Sequence, residues 1–145
     1  MHHLSRKLTV EELAELFEGR TRLVERLAEL DDPLGSAHEV IRNLREAEKL
    51  EALNAHPAIG SSKLSARSAA EQGVGGDPVV LTELAYLNQV YEEKFGFRFV
   101  VFVNRRSKAE ILDVLRERLE HTREEELDTA LAELVAIAED RWRRS

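Results

Sequence analysis

Near the middle of the chain, a histidine, a serine, a carboxylate and a carboxamide lie in two short stretches that helical packing alone does not require. The first is Asn54-Ala55-His56-Pro57-Ala58-Ile59-Gly60, a His-Pro step that closes a helical segment. The second is Leu64-Ser65-Ala66-Arg67-Ser68-Ala69-Ala70-Glu71-Gln72. Histidine is the acid–base group suited to neutral pH, and Pro57 sets the direction in which the chain leaves it. On a helix, Ser68 stands three residues before Glu71 and four before Gln72, so all three share a face. A carboxylate accepts hydrogen bonds and a carboxamide both accepts and donates, so Glu71 and Gln72 together suit a cyclic urea or amide. The plainer readings are a structural or solvated histidine and a polar, exposed helix face. From these residues alone both stay open.

Other candidates are weaker. Arg141 sits in the last helix, four residues after Ile137. It could fork onto a carboxylate or carbonyl oxygen, but on sequence alone it reads more simply as part of a cationic last turn with Arg143 and Arg144. His38 and His121 have no partner pattern and read as surface residues. No His or acidic spacing fits a metal site, and the sequence has no phosphate loop or nucleophile elbow. Phe95, Phe97, Phe99 and Phe102 read as core rather than as a cofactor box.

The elements that must position these residues are helices. Four capping boxes punctuate the chain: Thr9 to Glu12, Ser36 to Glu39, Ser107 to Glu110 and Thr122 to Glu125. The first opens a helix bearing Leu13, Leu16 and Phe17, interrupted near Gly19. A second helical face carries Leu23, Val24, Leu27 and Leu30 and ends at Asp31-Asp32-Pro33. The Ser36 box starts a third helix with the stripe Val40, Ile41, Leu44, Ala47 and Leu50. It stops near Ala55, because a residue before proline is biased away from the α region. Residues 57–64 read as loop, 65–72 as a short helix and 73–76 as a glycine-rich break. Asp77-Pro78 caps a helix bearing Leu81, Leu84, Ala85, Leu87, Asn88 and Tyr91. Residues 95–103 have strand propensity but no partner strand, so they read as a buried extended connector. The Ser107 and Thr122 helices complete an all-α, single-domain irregular bundle of about seven helices.

Composition narrows the function classes. At 145 residues the chain has the size of one domain: residues 9–145 form the helical domain and residues 1–8 a flexible N-terminus. With no cysteine, disulfides and thiolate metal sites are out. A net charge of -7 with interspersed signs argues against nucleic-acid binding. No apolar run reaches membrane-spanning length and no signal-peptide pattern precedes Thr9, so a cytoplasmic setting is expected.

Taken in order, the motifs carry a resemblance. They are Ala55-His56-Pro57-Ala58-Ile59-Gly60, then Ser68 to Gly73, then Asn88 to Val100 with Lys94-Phe95-Gly96-Phe97 at its centre. Ile111 to Leu119 with Arg118, Glu126-Leu127 to Glu133, and Ile137 to Arg141 follow. This order, from Leu16 to Trp142, resembles the 2-oxo-4-hydroxy-4-carboxy-5-ureidoimidazoline (OHCU) decarboxylase family of urate breakdown. Each motif alone is weak; the combination is specific. The resemblance implies an all-α, cofactor-free homodimer with OHCU as substrate and (S)-allantoin and carbon dioxide as products. It places the family's catalytic histidine on His56, within the His56-Pro57 motif, and its serine and Glu-Gln pair on Ser68, Glu71 and Gln72. Its late arginine falls on Arg141, and backbone groups around Phe99 and Val100 are expected to line the pocket. Catalytic roles are thus expected for His56 and Glu71, and substrate contacts for Pro57, Ser68, Gln72, Phe99, Val100 and Arg141. The chain departs from the family pattern at Ala58, where Asp is frequent, at Glu18-Gly19-Arg20-Thr21-Arg22, where Glu-x-Ser-Pro-Trp is usual, and in a shorter loop between His56 and Ser68. A relative acting on another ureido or imidazoline acid, or a non-catalytic helical interaction domain, would be the competing reading.

Overall fold

The computed structural model describes residues 6–57 and 77–145, and among these it holds seven helices and no strand. They are α1 (Val10–Leu16), α2 (Arg22–Leu27), α3 (Pro33–Arg42), α4 (Glu46–Ala55), α5 (Pro78–Phe95), α6 (Lys108–Arg118) and α7 (Arg123–Arg144). Their starts are set by side chains that satisfy the orphan N–H groups of a first turn. The Thr9 and Ser107 boxes form reciprocally with Glu12 and Glu110. Thr122 and Glu125 do the same ahead of α7, at 2.9 and 3.2 Å.

The third expected helix is corrected. Asp32, not Ser36, is the N-cap, and its carboxylate accepts from the Gly35 N–H at 3.2 Å. Pro33, expected to follow the second helix as a stop, instead occupies the first turn of α3, where its missing N–H costs nothing. The stretch up to Ala55 is then broken at Asn43-Leu44-Arg45, and α4 restarts with Glu48 accepting from the Arg45 N–H at 2.9 Å. The break shifts the buried face. Ala47 is exposed and Leu50 half-buried, while Ala52 and Leu53 are buried. On α5 the buried line is Leu84, Asn88, Tyr91 and Phe95; Leu81 and Ala85, expected inside, face out.

The chain divides into two compact units. One comprises the described residues of Met1–His56 together with Leu131–Ser145. Its centre is α2, whose Leu23, Val24 and Leu27 are wholly buried and which packs on α1, α3 and α4. Fully burying such a side chain stabilises by about 1.5–3 kcal/mol. Gly19 lies so close to the end of α4 that an added Cβ would stand 3.1 Å from the Ala55 Cβ. The reversal after α1 is made not at Gly19 but at Glu18, which takes φ +64°.

The second unit comprises the described residues of Pro57–Ala130. Here α5 packs along α6. α5 ends at Gly96, whose φ of +81° is the left-handed cap that glycine adopts without strain. Residues 98–103 then run on with neither helix nor sheet. Phe95, Phe97, Phe99, Val100, Val101 and Val103 are buried, as expected for a buried connector.

Candidate active site

His56 is the C-cap of α4. It has left the helix for extended backbone, φ −76° and ψ 133°, as the following proline predicts. Its N–H still reaches the Leu53 carbonyl at 3.2 Å, and the residue is buried at 7% exposure. The imidazole is therefore carried on a defined backbone, one residue after Ala55, which Gly19 approaches closely.

Arg141 is in the same unit, on α7, and is not the surface arginine that its cationic neighbours suggest: it is 2% exposed. Its Nη1 donates to the Leu16 carbonyl at 3.0 Å and pairs with Glu18 Oε1, also at 3.0 Å. A left-handed non-glycine residue costs about 1–2 kcal/mol. At Glu18 that backbone coincides with a carboxylate brought onto a buried guanidinium. The signal in the sequence is periodicity. Ala130, Leu134, Ile137 and Arg141 form one stripe along α7, so the arginine continues an apolar face.

Phe99 and Val100 belong to the second unit and stand against a buried polar cluster that sequence reasoning missed. Arg118 Nη1 donates to the Val100 carbonyl at 2.6 Å, and its Nε donates to Glu126 Oε1 at 2.7 Å. The Tyr91 hydroxyl donates to the same Oε1 at 2.6 Å, and His121 Nδ1 lies 2.7 Å from Oε2. The guanidinium sits 4.7 Å from the centre of the Phe99 ring. Arg118 is 4% exposed and Glu126 fully buried. Burial, and then the hydrogen bond to Glu126, push the Tyr91 phenol well above its usual range. His121 is thus half-buried with a carboxylate partner rather than a surface residue. Arg118 and Glu126 were legible as polar residues on the apolar stripes of α6 and α7; their mutual pairing was not.

A groove of about 710 Å³ opens on the first unit, lined by Arg20, Arg22, Arg26 and Arg45 with Glu25, Glu48 and Glu51. Within it Arg22 pairs with Glu25 and Glu48, and Arg45 with Glu48. The hydrogen bond from the Arg45 backbone, more than any charge, holds Glu48 below the ordinary carboxylate range. Ser68, Glu71, Gln72 and Ala58, with the expected short helix at 65–72, lie outside the described residues. Pro57 is described and half-buried. Among the described residues no group of three or more His, Asp or Glu could hold a metal ion. No described helix is long and apolar enough to cross a membrane.

Comparison with known proteins follows the same lines. The family model described as OHCU decarboxylase matches residues 2–143. An OHCU decarboxylase of Haloferax volcanii is 30% identical over 143 residues, covering 90% of this chain and 84% of that protein. One of Halalkalicoccus jeotgali is 32% identical over 103 residues, covering 68% of this chain. The uric acid degradation bifunctional protein of Arabidopsis thaliana is 38% identical over 100 residues, covering 62% of this chain. The chain spans 58% of the length of the Halalkalicoccus protein and 31% of the Arabidopsis protein. Among solved structures, OHCU decarboxylase crystallised with (S)-allantoin superimposes with a TM-score of 0.77 at 27% identity, covering 92% of this chain and 96% of that one.

Proposed function

Because this chain belongs to the OHCU decarboxylase family, we propose that it decarboxylates OHCU to (S)-allantoin, with His56 as acid–base residue. The observation that carries this reading is the family match from residue 2 to residue 143.

The substrate suits catalysis by side chains alone. Its carboxylate hangs on a carbon next to a C=N bond. When the carbon–carboxylate bond breaks and carbon dioxide leaves, the electron pair forms a carbon–carbon double bond. The C=N pair moves onto nitrogen, which takes a proton. The enol so formed loses its hydroxyl proton and gains one on the neighbouring carbon, giving the ring carbonyl and the stereocentre of allantoin. In this reading His56 moves the hydroxyl proton, and Glu71 assists proton movement while gripping the ring with Gln72. Arg141 forks onto a substrate oxygen and Ser68 adds a hydrogen bond. Pro57 and the backbone at Phe99 and Val100 shape the binding surface. The electron sink is built into the substrate, so the reaction needs no metal or organic cofactor.

The test is an enantiomer-resolved assay on freshly made OHCU, following its ultraviolet absorbance and the chirality of the allantoin formed. Acceleration with excess (S)-allantoin is expected, and His56→Ala should lose about 10²–10⁴-fold, the usual contribution of general acid–base catalysis. A folded His56→Ala variant with undiminished rate would remove His56 from this role. Turnover of another ureido or imidazoline acid in place of OHCU would identify a divergent relative, and no turnover of any would leave the helical interaction domain. The reading further includes a cytoplasmic homodimer. Val79 and Tyr86, exposed on one side of α5, offer apolar surface for such pairing, and light scattering of the purified protein measures it.

A further inference from the structure

We propose that Arg118 is a positioning residue: through the Val100 carbonyl it holds the Phe99–Val100 backbone in the register that meets substrate. The proposal rests on the reading that this backbone lines the OHCU pocket.

The physical problem is a backbone one. Buried carbonyls must be paired, yet residues 98–103 belong to no helix or sheet. Arginine side chains take the place of a neighbouring strand. Just ahead of this segment, at the C-terminal end of α5, Arg123 Nε donates to the Phe95 carbonyl at 3.0 Å. Arg106 donates to the Phe102 carbonyl at 2.6 Å and the Val103 carbonyl at 3.1 Å. Between these anchors, Arg118 holds Val100 at 2.6 Å.

Arg118 is held by several groups at once. Glu126 takes its Nε, the Tyr91 hydroxyl lies 3.4 Å from its Nη2, and its Cζ lies over the Phe99 ring, 4.7 Å from the ring centre. Glu126 is itself fixed by Tyr91 and His121. Stability alone does not call for this arrangement. A buried ion pair is often no better than apolar residues of similar volume, and a methionine or leucine could pack against Phe99 and Tyr91. What an apolar residue cannot do is hold one peptide carbonyl at a fixed place. A planar guanidinium can bond the carboxylate with one edge and the carbonyl with another.

Arg118→Lys keeps a positive charge beside Glu126 but loses the fork. The double variant Arg118→Met with Glu126→Gln removes both charges together, so neither is stranded. For either folded variant, KM for OHCU is expected to rise about tenfold, the loss of roughly one substrate hydrogen bond, with kcat changed less than about threefold. A general loss of structure would instead lower the active fraction and leave KM alone. Hydrogen exchange on the unmodified protein gives a reading that does not depend on variant folding: saturating (S)-allantoin should slow exchange at the Phe99, Val100 and Val101 amides. Wild-type KM in a folded variant, or unchanged exchange at these amides, overturns the positioning role while leaving the decarboxylase reading in place. A wild-type protein inert toward OHCU overturns both.

Discussion

The Tyr91 hydroxyl donates to Glu126 Oε1 at 2.6 Å across 35 residues of sequence, joining α5 to the start of α7 where both groups are buried. It is one of three contacts, with Arg118 and His121, that satisfy a carboxylate with no exposure at all. Tyr91→Phe should therefore cost about 1.5–3 kcal/mol, the range for a hydrogen bond to a charged group. Equilibrium denaturation measures it, and a change under 0.5 kcal/mol would mean that water replaces the hydroxyl.

The same contact makes stability fall in alkali. The folded-state pKa of Tyr91 is raised, so its contribution is fully present below the ordinary value of 10.0 and lost as pH rises beyond it. Tyr86→Phe leaves Tyr91 as the sole tyrosine. In that variant, phenolate absorbance should appear only together with the loss of helical circular dichroism. Ionisation of Tyr91 in a protein that stays folded would contradict the assigned burial.

Glu18 lends itself to a comparison of two substitutions. Glu18→Ala and Glu18→Gly both remove the carboxylate from Arg141, but only glycine relieves the φ of +64°. The glycine variant should be the more stable of the two by about 1 kcal/mol. Equal melting temperatures would show that the turn relaxes out of the left-handed region once the ion pair is gone.

Gly19 links the α1–α2 turn to the histidine. A branched side chain there meets Ala55 Cβ, which an added Cβ already approaches to 3.1 Å. Gly19→Val should destabilise by about 1–3 kcal/mol through overpacking and, on the proposed function, lower OHCU turnover, because the strain falls one residue from His56. Unaltered stability would mean that the turn moves aside freely.

The helix caps set behaviour in acid. Glu110 and Glu125 are held below the ordinary carboxylate value of 4.5, chiefly by the backbone N–H groups of Ser107 and Thr122. Their folded pKa values are depressed, so their contribution is present above 4.5 and is lost as pH falls through the folded values. The double variant Glu110→Gln, Glu125→Gln should melt lower than wild type at pH 7. That gap should close on acidification from pH 5 to pH 3. A constant gap would rule out the carboxylates as its source.

What was legible in the sequence was local. The Thr9, Ser107 and Thr122 boxes, the stop before His56-Pro57 and the apolar stripes of α6 and α7 all depend on residues within a few positions of one another. Such signals need no knowledge of what lies across the core, so the all-α architecture followed from them. The division of the Ser36–Ala55 stretch did not, because an unbroken apolar spacing ran through Leu44, Ala47 and Leu50 and hid the break. Tertiary structure alone decided the partners of the buried polar groups. Arg141 finds the Leu16 carbonyl 125 residues away, and Arg118 finds the Val100 carbonyl 18 residues away. A charge on an apolar stripe announces that it must be paired once desolvated, but only the packed fold brings a particular distant carbonyl or carboxylate within reach.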